Sequence, residues 1–408
     1  MNDFDYLPDN VIYLDGACQS LRPRPVIDSL NAYYTEHNSC GERVKYKWGK
    51  ITDDKVEATR EKVLKYLKLK PKDYFVSFTL NTTYGLNLIL SQIDVKKAHI
   101  EHVVTSDIEH NSPFLSSISF AKSHHLPRIV LTRHEDGSVD VKDIPANSVV
   151  ILGCVSNLDG RRLTNIKEVV KHVHNTGGII IIDAAQALAH FADILYKTEA
   201  DAVCFSAHKM YSASLGGIIC RRDLLPVLKT TFIGGGMVDD VNLDTFELSA
   251  DNPDHVYTKF EACLQAWGEI IALGAAIDWL NSLSKSAHKD LDSSSEELFN
   301  FLSSNPKFHL INHEANPTTT FFVDGIDSHL IGEALGDEGI MARTGYFCVH
   351  YYLDHLKHYP PMIRFSLGYH NRPDDIEKVI ARLSRLAQCL CLQGIFCYAK
   401  LVSRQAIE

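Results

Sequence analysis

Apolar runs rich in valine and isoleucine alternate with helix-like segments through the first half of the chain. The runs predict strands at residues 74–78, 102–105, 149–155, 178–182, 202–205 and 217–220. Between them, the apolar spacing predicts helices at residues 83–92, 112–123, 166–175 and 195–199. Runs without a polar face indicate strands that are buried on both sides, as in a parallel sheet. The sequence therefore predicts an α/β fold with helices on both faces of its sheet.

The rhythm of the chain changes after about residue 260, where a long helical pattern runs to Leu283 and beyond. Shorter strands at Thr318–Val323 and Met362–Ser366 and a closing helix from Pro373 follow this pattern. The change predicts a second, smaller α+β domain. We expect a large domain at 26–280, a small C-terminal domain at 281–408, and an N-terminal segment, 1–25, that packs with the small domain.

Composition and charge argue against several classes of protein. The 408 residues carry a net charge of −10 without a basic stripe, which disfavours a nucleic-acid-binding surface. The longest apolar runs are too short to span a membrane, and the acidic N-terminus lacks the apolar core of a secretory signal. The ten cysteines include no CxxC pair, and Cys389, Cys391 and Cys397 fall on an apolar terminal helix that predicts packing. We expect a cytoplasmic protein with reduced thiols and no metal centre.

Polar side chains follow five of the predicted strands, at the place where open parallel sheets bind ligands. They lie at 80–83, 109–111, 156–157, 183–186 and 206–209. Right-handed crossovers bring these strand ends to one edge of the sheet. That edge then collects an acid, an amine, two imidazoles, hydroxyls and amides. This combination predicts a site for pyridoxal 5′-phosphate, an aldehyde cofactor with a phosphate and a pyridine ring.

Several of these side chains have chemistry that suits the cofactor. Lys209 can form an imine with the aldehyde, and Asp183 can keep the pyridine nitrogen protonated so that the ring accepts electrons. Thr82 and Thr83 begin a helix, where hydroxyl and N–H groups bind phosphate, and His110 can stack on the ring. Singly, each also has an ordinary structural explanation, such as helix capping. Their convergence on one edge favours the cofactor site.

The motifs of the chain resemble those of the class V aminotransferase family of fold-type I pyridoxal-phosphate enzymes. Within that family, the chain is most similar to the cysteine desulfurases and selenocysteine lyases. The resemblance extends from Tyr13-Leu-Asp-Gly-Ala17 to Ile363-Arg-Phe-Ser-Leu367, and is most specific in Asp183-Ala-Ala-Gln186 and Phe205-Ser-Ala-His-Lys-Met-Tyr211. It implies a large domain with a mainly parallel seven-stranded sheet sandwiched by helices, a smaller α+β C-terminal domain, and a homodimer.

The resemblance also implies roles for individual residues. Lys209 would hold the cofactor as a Schiff base and then move the Cα proton, with His110 on the ring face as a candidate relay. Asp183 would pair with the pyridine nitrogen and Gln186 with the ring hydroxyl. The remaining contacts would come from Thr83, Ser206 and His208 for the phosphate, and from Asn157 and Arg364 for the substrate carboxylate.

The loop Ala342-Arg-Thr-Gly-Tyr-Phe-Cys348 resembles the loop that carries the nucleophilic cysteine of desulfurases. Cys348 would take sulfur from L-cysteine as a persulfide, leave L-alanine, and pass the sulfur to an acceptor protein or a small thiol. The nucleophile in such a step is a thiolate, and Arg343, expected beside the substrate, can assist its ionisation. The resemblance thus implies a cysteine desulfurase, with selenocysteine as a chemically easier variant of the substrate.

Three segments depart from the family pattern. The loop has Tyr346-Phe347 where desulfurases often have two histidines, and Leu264 stands where a threonine reaches the phosphate of the partner subunit. Residues 39–48 differ from the family's basic loop. A C–S lyase, an epimerase, an aminotransferase in which Cys348 is not the nucleophile, and a non-catalytic scaffold that binds the cofactor therefore remain alternatives. A nucleotide-binding protein is disfavoured, because no glycine-rich phosphate loop follows the first strand.

Overall fold

The computed structural model describes residues 3–41 and 44–392, with side chains described as far as residue 385. The strands of the described chain are β1 (Ile12–Tyr13), β2 (Tyr74–Thr79), β3 (His102–Ser106), β4 (Arg128–Leu131), β5 (Ser148–Gly153), β6 (Ile179–Asp183), β7 (Ala202–Ser206), β8 (Gly216–Arg221), β9 (Val238–Val241), β10 (Phe246–Leu248), β11 (Phe308–Leu310), β12 (Thr318–Val323), β13 (Ile340–Met341), β14 (Arg343–Gly345) and β15 (Met362–Ser366). Its α-helices are α1 (Arg24–Glu36), α2 (Lys47–Tyr66), α3 (Thr82–Gln92), α4 (Asn111–His124), α5 (Ile166–Asn175), α6 (Trp267–Ser282), α7 (Lys285–Ser304), α8 (Ser328–Asp337) and α9 (Pro373–Leu392).

The chain divides into two compact units. The large unit comprises Leu21–Ser156 and Arg162–Ser282. The small unit comprises the residues up to Ser20, the short segment Asn157–Arg161, and the chain from Leu283 onwards. The domains expected at 1–25, 26–280 and 281–408 stay predictions.

The large unit is built on a seven-stranded sheet in the order β2-β8-β7-β6-β5-β3-β4. Strand β8 runs antiparallel to both of its neighbours, and the other pairs are parallel. Strands β2, β3, β5, β6 and β7 therefore share one direction, and their carboxyl ends lie along one edge. This sheet confirms the predicted α/β class and the mainly parallel seven-stranded architecture.

Hydrophobic burial explains why these segments adopt their structure. The four isoleucines of β6 are buried, as expected for a strand covered on both faces. In α5, Ile166, Val169, Val170 and Val173 are buried at the spacing of a single helix face. Full burial of each such side chain stabilises a fold by roughly 1.5–3 kcal/mol.

The small unit contains an antiparallel sheet in the order β11-β12-β15-β14. A separate short parallel pair joins β1 to β13. The core of the unit includes Leu298, Leu302, Phe321 and Phe365, all completely buried. The cysteine of interest, Cys348, follows β14 in this unit.

Two predicted helices differ from the structure. The helix expected at 195–199 is wrong: a short 3₁₀ turn covers Ala192–Leu195, and Lys197 and Glu199 then adopt φ values of 59° and 60°. The helix expected from about residue 260 begins only at Trp267. Before it, the Glu261 carboxylate binds Arg60 at 2.7 Å and the backbone N–H of Phe78 at 2.5 Å. These long-range contacts hold the segment in an irregular conformation that local propensity does not foresee.

Among the residues that the structure describes, no helix is long and apolar enough to cross a membrane. The same residues contain no cluster of three or more His, Cys, Asp or Glu side chains arranged to hold a metal ion. Of the terminal cysteines expected to pack, Cys389 and Cys391 belong to α9, but their side chains, and Cys397 entirely, fall outside the description.

Candidate active site

Asp183 is a buried carboxylate at the carboxyl end of β6, with 7% of the residue exposed. Its Oδ1 accepts a hydrogen bond of 2.8 Å from the backbone N–H of Ala185, and its carbonyl accepts one of 3.0 Å from Cys154. Burial raises the pKa of Asp183, while the Ala185 N–H and the positive charge of Lys209 act in the opposite direction. A cationic ligand at this carboxylate would offset the cost of burying its charge.

Lys209 closes a short 3₁₀ turn, Ala207–Lys209, that follows β7 directly. The turn is fixed by a hydrogen bond of 2.7 Å from the Ala207 N–H to the Leu215 carbonyl. Lys209 is half-buried, and its charge offsets part of the rise that burial causes in the pKa of Asp183. The structure therefore places the amine and the carboxylate in one electrostatic environment at the edge of the sheet.

His208 precedes the lysine and is half-buried. Burial lowers the pKa of His208 to about 4, with further contributions from the positive charges of Lys209 and Arg22. The imidazole is therefore neutral near pH 7. A neutral ring can still donate one N–H hydrogen bond to a phosphate, which is compatible with the role expected for it.

Hydroxyl groups surround the first turn of α3. The Thr82 backbone N–H donates to Ser206 Oγ at 3.0 Å, and the two hydroxyl oxygens lie 2.7 Å apart. The Asn81 side chain caps the helix by accepting from the Tyr84 N–H. Residue 216 has to be glycine, because a Cβ atom at this position would lie 2.4 Å from the Cα atom of Asn81. This helix N-terminus offers N–H and O–H donors for an anion, as expected for the phosphate.

A chain of hydrogen bonds connects Thr83 to His110 through Ser112. The exposed Thr83 has its Oγ1 2.6 Å from Ser112 Oγ, which lies 2.9 Å from His110 Nδ1. The Ser112 backbone N–H also donates to Nδ1, at 3.0 Å. Because Nδ1 accepts this bond, the neutral ring carries its proton on Nε2. The network fixes the tautomer and orientation of the imidazole expected to face the cofactor ring.

The large unit thus collects the predicted cofactor residues, namely Thr82, Thr83, His110, Asp183, the half-buried Gln186, Ser206, His208 and Lys209, on elements that follow its aligned strand ends. This set fits pyridoxal phosphate. The buried carboxylate of Asp183 suits a protonated ring nitrogen, the helix start suits a phosphate, and Lys209 suits an aldehyde. Their individual roles stay predictions.

In the small unit, Arg364 on β15 is a buried guanidinium with 3% exposure. Nη1 donates to the Asn157 carbonyl at 2.9 Å, and Nη2 lies 3.3 Å from Asp15 Oδ1. Within the described residues, Nε has no hydrogen-bond partner. An unsatisfied N–H on a buried cation is costly, so this edge of the guanidinium is suited to a carboxylate ligand.

The loop after β14 carries the exposed thiol of Cys348. The Phe347 carbonyl accepts a hydrogen bond of 2.8 Å from the Asn157 side chain. The Phe347 ring centroid lies 4.9 Å from Arg364 Cζ, a cation–π distance. Arg343 is exposed and stands opposite Arg364 across the β14–β15 pair. The structure therefore joins the predicted carboxylate residues, Asn157 and Arg364, to the backbone beside the predicted nucleophile.

Glu109 is a buried residue of the large unit for which the sequence alone predicts no role. Its Oε1 accepts from Ser106 Oγ at 2.6 Å, and its Oε2 accepts from the Gly153 N–H at 2.8 Å. Gly153 is the strand partner of Asp183, and Arg133 donates to the Gly153 carbonyl at 2.6 Å. Burial raises the pKa of Glu109 to about 7, although Arg133 opposes this. The one feature of the sequence that indicates a functional role for Glu109 is its position directly before His110.

Glu109 acts on the candidate site through the backbone. The β3–β5 pairing ends at Val104 and Val150, so Gly153 lies beyond its last paired residue. The Glu109 carboxylate binds the Gly153 N–H where a strand partner is missing. A Cβ atom at Gly153 would lie 2.7 Å from Glu109 Oε2, so a larger residue there would displace this carboxylate. Glu109 therefore anchors the strand that pairs with Asp183, and it directly precedes His110.

Leu264, at the position where the family pattern has threonine, is exposed by 67% in the segment between Glu261 and α6. The residue before it, Cys263, has a φ of 68° and donates its N–H to the Gly235 carbonyl at 2.5 Å. A leucine side chain offers no hydrogen-bond donor for a phosphate. Leu264 therefore cannot make the phosphate contact that the family pattern assigns to a threonine at this position.

Comparison with known proteins adds an independent finding. A protein of Vibrio cholerae named probable cysteine desulfurase is 26% identical over 391 residues, which cover 93% of this chain and 94% of that protein. A probable cysteine desulfurase of Methanothermobacter thermautotrophicus is 28% identical over 398 residues, or 94% of this chain and 96% of that protein.

Solved structures share the fold. The cysteine desulfurase CsdA of Escherichia coli, with an S-sulfonic acid, superposes with a TM-score of 0.84 at 23% identity, covering 95% of this chain and 97% of that chain. An apo cysteine desulfurase of Thermococcus onnurineus gives a TM-score of 0.83 at 24% identity, covering 93% and 95%. The family model described as Aminotransferase class-V matches residues 12–379. Since this match spans both compact units and nearly the whole sequence, the chain belongs to the class-V aminotransferase family.

Proposed function

We propose that this protein is a pyridoxal-phosphate-dependent cysteine desulfurase that converts L-cysteine to L-alanine and takes the sulfur on Cys348. The observation that carries the proposal is the exposed thiol of Cys348 on a loop joined to Arg364, a buried guanidinium whose Nε–H has no hydrogen-bond partner among the described residues. Relatives named as cysteine desulfurases, at 26–28% identity over more than nine tenths of the chain, support the same activity.

The large unit supplies the residues that would hold the cofactor. Asp183 offers a carboxylate to the ring nitrogen, Lys209 an amine to the aldehyde, and the start of α3 its N–H and O–H donors to the phosphate. When bound, the cofactor supplies an electron-withdrawing ring that makes the substrate Cα proton acidic. Lys209 Nζ is the base available to take and return that proton, and His110 Nε2 is a candidate relay.

The small unit supplies the substrate and sulfur chemistry. Arg364 binds the carboxylate of the amino acid through its unpartnered Nε–H edge, and the Cys348 thiolate attacks the substrate sulfur. A sulfur–sulfur bond forms, the carbon–sulfur bond breaks, and its electron pair stays with carbon, which is then protonated. Cysteine and the protein thiol therefore become alanine and a protein persulfide, and the step needs no external oxidant or reductant.

The activity is tested by measuring alanine and sulfide from L-cysteine in the presence of a reducing thiol. We expect the wild-type protein to form both products in equal amounts. Cys348→Ser abolishes sulfide release, whereas Cys263→Ser, which removes another exposed thiol, leaves it unchanged. Sulfide release by Cys348→Ser at the wild-type rate would contradict the proposal.

A C–S lyase is the second candidate, and the loop sequence Tyr346-Phe347 favours it. Neither side chain is a proton donor that titrates near neutral pH, and burial with the charge of Asp354 raises the pKa of Tyr346 further. A lyase eliminates sulfur without a protein nucleophile. Retention of full turnover on cystine or cysteine by Cys348→Ser, with pyruvate instead of alanine as product, would identify this activity.

The homodimer, a cytoplasmic location and a sulfur-acceptor protein are also part of the proposal. Exposed apolar side chains on residues 232–264 of the large unit support a second copy of the chain as partner, namely Phe232, Ile233, Val241, Leu243, Phe246 and Leu264. Leu243, on the β9–β10 hairpin, is 97% exposed. In light scattering, Leu243→Ser should weaken the dimer, while Leu115→Ser, at an exposed leucine of α4, should not.

A further inference from the structure

One guanidinium in the small unit has two different sets of neighbours. In its plane, Arg364 contacts Asn157 and Asp15 and leaves Nε without a partner among the described residues. Its Cζ also lies over the ring of Phe347, at 4.9 Å from the centroid. A carboxylate binds arginine in the plane of the fork, whereas an aromatic ring binds its face. A substrate carboxylate and Phe347 can therefore contact the same guanidinium together.

The backbone around Phe347 is held in an unfavourable conformation. Phe347 and Cys348 both adopt left-handed φ values, 49° and 60°, which side chains with a Cβ atom rarely occupy. Phe347 itself is fixed by its carbonyl, which accepts from the Asn157 amide at 2.8 Å, and by the burial of its ring. A second hydrogen bond, from the Val349 N–H to the Tyr346 carbonyl at 2.8 Å, closes the turn. These contacts fix the position of the thiol-bearing residue.

We propose that Phe347 is a positioning residue for sulfur transfer: its ring on Arg364 and its carbonyl on Asn157 hold Cys348 at a defined distance from the substrate carboxylate site. This inference rests on the proposed function, because it assigns the carboxylate to Arg364 and the sulfur to Cys348. The aromatic residue that replaces a histidine in this loop thus has a role of its own, which is to couple the nucleophile's loop to substrate recognition.

The ring, and not apolar bulk alone, is what the proposal requires. Phe347→Leu keeps an apolar side chain of similar size but removes the ring face, whereas Phe347→Tyr keeps the ring. Tyr346→Leu is the matched control, because the Tyr346 ring contacts His350, at 5.5 Å between centroids, and not Arg364. Thermal unfolding of each variant verifies that it remains folded.

The test measures alkylation of Cys348 by iodoacetamide in the cofactor-loaded protein without substrate, by peptide mass spectrometry. Cys40 and Cys263, which are also exposed, serve as internal references in every sample. Loss of a cation–π contact should raise the Cys348 rate about threefold to tenfold in Phe347→Leu. Phe347→Tyr and Tyr346→Leu should match the wild type. Equal rates in Phe347→Leu and the wild type would overturn the proposal.

A double-mutant cycle separates a contact with Arg364 from a general loosening of the loop. Arg364→Gln removes the cation, so the Phe347 ring has no cation–π contact left to lose. We expect Arg364→Gln alone to raise the alkylation rate, and Phe347→Leu to add little to it. Additive effects of the two substitutions would show that the ring acts elsewhere, which contradicts the proposal.

Steady-state kinetics supply a third readout. Phe347→Leu should lower kcat for sulfide release about tenfold with little change in KM, because the carboxylate edge of Arg364 is intact while the thiol is less well placed. A raised KM with unchanged kcat would refute the positioning role. If no variant or wild-type protein releases sulfide, the desulfurase proposal fails, but the alkylation cycle still decides whether Phe347 positions Cys348.

Discussion

Glu109→Gln tests whether Glu109, which anchors the strand beside the candidate cofactor site, has the raised pKa that its burial indicates. The folded protein raises the pKa of Glu109 from 4.5 to about 7, chiefly through burial. The folded chain then keeps a proton that the unfolded chain releases between these values, so rising pH lowers the free energy of unfolding across this window. At about 1.36 kcal/mol for each pH unit, the full loss is about 3 kcal/mol, of which about 2.5 falls between about pH 5 and about pH 8.

The assay is urea unfolding of the cofactor-free protein, monitored by circular dichroism at about pH 5 and about pH 8. Glutamine can still accept the Gly153 N–H bond but carries no titrating proton. The wild type should therefore lose about 2.5 kcal/mol more than Glu109→Gln as pH rises. Glu135→Gln, at an exposed glutamate, should follow the wild type. Parallel pH curves for wild type and Glu109→Gln would refute the reasoning.

Three further substitutions probe the candidate site. Borohydride reduction of the loaded protein should fix the cofactor on the peptide that contains Lys209, and Lys209→Ala should release all of its cofactor on denaturation; covalent retention in this variant would show that another amine holds it. Asp183→Asn, which can still accept from Ala185, should weaken cofactor binding about 10- to 100-fold in a fluorescence titration, since it removes a charge-assisted bond; wild-type affinity would argue against a contact with the ring nitrogen. Arg364→Lys should lower kcat/KM for L-cysteine about 10- to 100-fold without affecting cofactor loading, because an ammonium cannot bind a carboxylate at two points; an unchanged kcat/KM would place the carboxylate elsewhere.

Much of the fold follows from local pattern. The isoleucine run of β6 and the one-sided apolar spacing of α5 each favour one structure, and both elements occur where they were expected. The short strand Arg128–Leu131 was not foreseen, since four residues at the edge of a sheet give little periodicity. The late start of α6 depends on the distant partners of Glu261, which no local pattern contains.

The site shows the same division between local and long-range information. Asp183 and Lys209 follow strands, so parallel topology alone was enough to predict that they share an edge. Glu109 was overlooked because its importance depends on Gly153, a residue 44 positions away along the chain. The contact between Phe347 and Arg364 likewise joins the loop after β14 to the middle of β15. Such pairings depend on tertiary packing rather than on residue spacing.

The most direct test of the proposed activity is the mass of the peptide that contains Cys348 after one turnover with L-cysteine. The protein is loaded with cofactor, mixed with substrate in the absence of a reducing thiol, and alkylated before digestion. We predict that this peptide gains the mass of one sulfur atom in proportion to the alanine formed, and that peptides with Cys40 and Cys263 do not. Alanine formation without added sulfur on Cys348 would contradict the assignment of this thiol as the sulfur acceptor.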